Sequence, residues 1–147
     1  VNKGHEFGYE NFTKSQITKL IKLCLVIKKK YKIKNSNIVG HSDIAPFRKT
    51  DPGEKFPWDK LKKNGLGIWY KKLKLKSKKL NYKKMEKFFF KNLFIIGYRY
   101  FNLNRRTNKD IFITKAFQRR FLPGNVNGKI DQKTYIISHF LARYNKN

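Results

Sequence analysis

The chain has 147 residues, enough for one ordinary domain or two small ones, with 36 Lys and Arg against 9 Asp and Glu and a formal charge of +27. A single cysteine, Cys24, excludes an internal disulfide, and no apolar run approaches the ~20 residues of a membrane span. The charge admits a polyanionic partner such as nucleic acid, an anionic membrane or an acidic wall polymer. It equally fits codon drift, because Lys, Asn, Ile, Tyr and Phe abound and the basic residues are spread along the chain rather than gathered in a stripe. There is no RNP-like, zinc-finger or helix-turn-helix signature, so nucleic-acid binding is not expected.

Residues 13–30 read as a helix. Thr13 and Gln16 have capping-box spacing, and Ile17, Leu20, Ile21, Cys24 and Ile27 recur at helical intervals. Lys28–Lys30 close it where positive charge suits the dipole. Cys24 fits a small buried hydrophobe better than a nucleophile. A β-like run, Asn37–Gly40, follows and delivers His41 onto a loop, a common place for functional groups.

That loop reads GHSDIAPFRKTDPG, residues 40–53. Phe56 and Trp58 are expected to anchor it, and Pro57 with Asp59 marks entry to a short helix. Residues 71–84 are lysine-dense, as in a connection. Three helical patterns follow: 85–98, closed by Gly97, 109–121 and 131–144. The last carries Tyr135, Ile136, Phe140, Leu141 and Tyr144 as its expected face. A turn-rich stretch, LPGNVNGKID, separates the second from the third. The expected core of this three-helix unit is Phe88, Phe117, Phe121, Ile130, Phe140 and Leu141.

His41 and Asp51 stand ten positions apart. A catalytic zinc takes three ligands from His, Asp, Glu or Cys and leaves one position open, and a loop of this length can fold both residues onto one ion. On spacing alone, a structural histidine and a turn-capping aspartate are the default. Lys49 could project a cation that stabilises an oxyanion. Arg48 could do likewise, though it reads more readily as a surface residue. Asp43 reads as a cap of the loop backbone.

The longer pattern is more specific. VGHSDIAPFRKTDPGEKFPWDKL resembles the zinc-binding segment of the N-acetylmuramoyl-L-alanine amidases related to T7 lysozyme and the peptidoglycan-recognition proteins. KAFQRRF and VNGKIDQKT are similar to the three-helix peptidoglycan-binding module found in such enzymes. The resemblance implies an α/β fold for residues 1–70, the C-terminal half of a mixed-sheet amidase domain, then a connection over 71–84 and an all-α module over 85–147. It implies zinc-dependent hydrolysis of the amide between N-acetylmuramic acid and L-alanine. His41 and Asp51 match two zinc ligands, and Lys49 matches the basic residue at the tetrahedral intermediate. The family's third ligand, a histidine, and its catalytic glutamate lie upstream of this motif. VNKG, residues 1–4, looks like the end of the strand that carries the glutamate, so that residue would fall before Val1. His5 and Glu6 read as loop residues, and His139 as a core or surface residue of the module. The alternative is a truncated, inactive peptidoglycan-binding fragment. Peptidoglycan or muropeptides are the expected partners of a monomer in the bacterial cell envelope, periplasm or outer membrane.

Overall fold

A computed structural model describes residues 10–71 and 81–144. Among these described residues six α-helices run in order: α1 Lys14–Lys30, α2 His41–Ile44, α3 Trp58–Lys63, α4 Tyr82–Ile96, α5 Asp110–Phe121 and α6 Gln132–Tyr144, with a 3-10 turn at Asn35–Asn37. None of the described residues is in a strand. This corrects the expected α/β, mixed-sheet half-domain. Asn37 closes the 3-10 turn, and although Ile38 and Gly40 are extended, no segment among the described residues pairs with them. An extended run becomes a strand only through a ladder partner. His41 consequently opens a one-turn helix instead of following a strand.

The amino-terminal unit gathers around Ile17 and Ile21 of α1, Trp58 and Leu61 of α3, and Leu66. Its first helix starts as the sequence requires. The Thr13 hydroxyl accepts from the Gln16 N–H, and the Gln16 side chain accepts from the Thr13 N–H at 2.8 Å. Phe56 docks edge-on against Trp58. Cys24 is half-buried beside this core, where desolvation raises its thiol pKa.

Helices α4, α5 and α6 enclose a larger core built on Phe89, Phe90, Leu93, Ile113, Phe117, Phe121, Ile137 and Leu141. Most of the 71–84 connection lies outside the described residues, and Tyr82–Lys84 already form the first turn of α4, capped by Asn81. Phe88 is 42% exposed, a correction to the expected core. In FFFKNLF the three consecutive phenylalanines point 100° apart, and Phe89, Phe90 and Leu93 share the inward face. Helix α6 is rotated from the expected face for the same reason. Thr134, Ile137, Ser138, Leu141 and Ala142 face in, while Phe140 is half-buried and Tyr144 exposed. Small polar groups are tolerated there because they are bonded: Asn92 donates to Ser138, which donates to the Tyr135 carbonyl.

The two cores adjoin. Ile68 belongs to the larger one, and Trp69 packs against both, its indole 5.6 Å from the Phe121 ring.

Candidate active site

The loop of residues 40–54 carries the site residues. His41 Nδ1 stands 3.2 Å from Asp51 Oδ2, with side chains 38% and 62% exposed. The Ser42 N–H donates to the Asp51 carbonyl at 2.9 Å, tying together the backbones beside the two side chains. Lys49 shares the loop, half-buried, its N–H bonded to the Ala45 carbonyl. The structure thus brings His41 and Asp51 together, with Lys49 two positions before Asp51 on the same loop. His139 is exposed on α6, remote in sequence from the loop. His5 and Glu6 lie outside the described residues.

Imidazole nitrogen and carboxylate oxygen are both zinc donors. Two ligands at about 2.0–2.1 Å on a tetrahedral ion stand about 3.3 Å apart, close to the observed separation. The donors fit zinc in kind and spacing. Among the described residues no group of three His, Cys, Asp or Glu side chains is placed to hold one ion.

Beneath the loop lies a buried ionic node that the sequence reading missed. Asp43 accepts from Arg120 Nη1 and the Tyr98 hydroxyl, both at 2.6 Å, and from the Gly40 N–H at 2.8 Å. The Arg120 and Asp43 side chains are 3% and 5% exposed. Arg120 Nη2 also donates to the Ile38 carbonyl, and its guanidinium lies 4.1 Å from the Trp58 ring centroid. Burial, then the charge of Asp43, pushes the Tyr98 hydroxyl well above its ordinary pKa, with Arg120 opposing. Tyr98 therefore remains a donor at neutral pH. One position before Arg120, Arg119 Nε donates to Glu54 Oε1 at 3.1 Å. One signal for this was available: Arg120 falls three positions after Phe117, on a face that must be buried.

Comparison with known proteins settles the relationship. Residues 1–54 match the N-acetylmuramoyl-L-alanine amidase family model. The chain is 50% identical over 58 residues to the N-acetylmuramoyl-L-alanine amidase AmiD of Escherichia coli K12, covering 40% of this chain and 21% of that protein. This chain is related to the N-acetylmuramoyl-L-alanine amidases. It is also 45% identical over 50 residues to the 1,6-anhydro-N-acetylmuramyl-L-alanine amidase AmpD of Enterobacter cloacae, covering 34% of this chain and 27% of that one.

The structural likeness to these amidases extends past the matched segment. AmiD of E. coli, solved with anhydro-N-acetylmuramic acid-L-Ala-D-gamma-Glu-L-Lys, superposes with a TM-score of 0.79 at 30% identity, over 93% of this chain and 55% of that one. AmpDh3 of Pseudomonas aeruginosa, solved with an anhydromuramic pentapeptide, gives 0.79 at 26% identity, over 97% of this chain and 58% of that one. The chain thus spans little more than half the length of these structures.

Proposed function

We propose that this chain acts in N-acetylmuramoyl-L-alanine amidase chemistry, the hydrolysis of the amide between the muramic acid lactyl group and L-alanine in peptidoglycan fragments. The observation that carries this reading is the 3.2 Å approach of His41 and Asp51 within the segment matched to the amidase family. His41 and Asp51 would hold zinc, with a further ligand from outside the described residues. Zinc bound there would polarise the scissile carbonyl and lower the pKa of water. Lys49, on the same loop, would offer its ammonium to the developing oxyanion. Muropeptides are the substrate class, as the ligands of the two superposed amidases suggest. Helices α4–α6 would serve as a peptidoglycan-binding unit.

The second reading, a binding fragment without turnover, is favoured by one observation: the described residues group only two metal donors. One assay separates the two. Anhydromuropeptide is incubated with the chain and zinc, and free stem peptide is measured. Release that disappears in His41→Ala supports the amidase. No release, with retention on purified sacculi, supports the binding fragment.

A further inference from the structure

We infer that Arg119 and Arg120 of α5 are positioning residues for the His41–Asp51 pair, so that the helical unit is part of the active-site framework. The amidase reading supplies the pair's chemistry; the positioning itself is independent of it. The pair's own attachments are weak. Helix α2 has four residues, too few to be stable alone, and the two side chains are 38% and 62% open to solvent. Two charged grips on the loop come from neighbouring residues of α5. Arg120 seizes its start, binding Asp43 two positions after His41 and the Ile38 carbonyl three before it. Arg119 seizes its end through Glu54, three positions after Asp51. The two grips are adjacent on a helix whose Phe117 and Phe121 are fully buried, so their relative position is fixed. Asp43 is bound to this framework and withheld from any metal: one oxygen accepts from Tyr98, the other from Arg120 and Gly40.

The test uses the full chain and two readouts. Hydrogen exchange of the Ser42 amide reports the bond that joins the two halves of the pair, with or without metal. Zinc affinity is measured by chelator competition. Arg120→Met strands a buried carboxylate and threatens folding, so Arg120→Lys and Glu54→Gln are run beside it. The expected result is Ser42 exchange at least tenfold faster in Glu54→Gln and in Arg120→Met, while amides of α4 and α6 change less than twofold. Arg120→Lys, which keeps a cation for Asp43 but cannot fork to Ile38, should fall between. Zinc affinity should drop about tenfold in step, the usual effect of losing support behind a ligand. Ser42 exchange within twofold of the parent in both Glu54→Gln and Arg120→Lys overturns the proposal, as does a uniform rise across all helices. If Ser42 responds while the parent chain takes up no zinc, the positioning stands and the zinc reading of the pair falls.

Discussion

Arg120 and Asp43, 77 positions apart, meet at 2.6 Å where neither side chain is open to solvent. Breaking one side of such a pair leaves a buried charge without a partner, typically a loss of about 3–5 kcal/mol. Asp43→Ala should therefore destabilise the chain by that amount in urea denaturation. Asp43→Asn keeps an acceptor for the Gly40 N–H and should cost less. Equal losses would show that the charge, and not the acceptor that Asn retains, carries the whole contribution.

Tyr98 gives the fold an alkaline limit. Its hydroxyl pKa is raised on folding, so its contribution is fully present below the unfolded tyrosine value, about 10. It is lost as pH climbs through the raised folded value. Stability should fall on raising pH past about 10, and Tyr98→Phe should shallow that fall. Tyr70 and Tyr82 are also raised, though less deeply buried, so some slope should persist. Chemical denaturation at pH 8 and at pH 11 gives the comparison.

Phe88 and Phe89 should part company. Phe89 is fully buried and Phe88 is 42% exposed. Phe89→Ala should cost about 3–5 kcal/mol and Phe88→Ala under about 1 kcal/mol. Thermal melts of the two variants decide it, and similar shifts would place the helix face wrongly.

Gln118 organises the turn before α6. Its carbonyl oxygen accepts from the Asn127 and Gly128 N–H groups, while its amide donates to the Lys129 carbonyl at 2.8 Å and to Thr134. Gln118→Leu should orphan those backbone groups at about 1–3 kcal/mol each. Gly128→Ala should also destabilise. Its φ is +78°, and a Cβ would stand 2.5 Å from Ile111 Cγ1. Guanidinium unfolding of both variants checks the pair.

Apart from the four-residue α2, which the sequence places in a loop, the helices were legible because local patterns decide them. The Thr13–Gln16 capping box and the Gly97 stop stand where the sequence set them. The strand at Asn37–Gly40 was misread because a strand is a property of two segments and only one was visible. The pairing of His41 with Asp51 was legible from a loop short enough to fold back. The Asp43–Arg120–Tyr98 node was not, because contacts 55 and 77 positions apart leave no periodic trace. Asp43 reads as a cap of the loop backbone, and it does accept from the Gly40 N–H, but nothing local points from it to Arg120 or Tyr98. The faces of α4 and α6 were misjudged where hydrophobic residues fill every direction of a turn, so that composition ceases to mark the buried side.

Three successive residues of α5 act in three directions: Gln118 toward the 125–134 turn, Arg119 toward Glu54, Arg120 toward Asp43. A helix advances 100° per residue, so this single turn works as a keyed shaft. Inserting or deleting one residue between Phe112 and Gln118 would leave the helix intact and spin all three teeth out of their slots. The helical unit can thus be joined to another amino-terminal unit only in one rotational phase, and natural length variation in this protein should collect in the stretches outside α5.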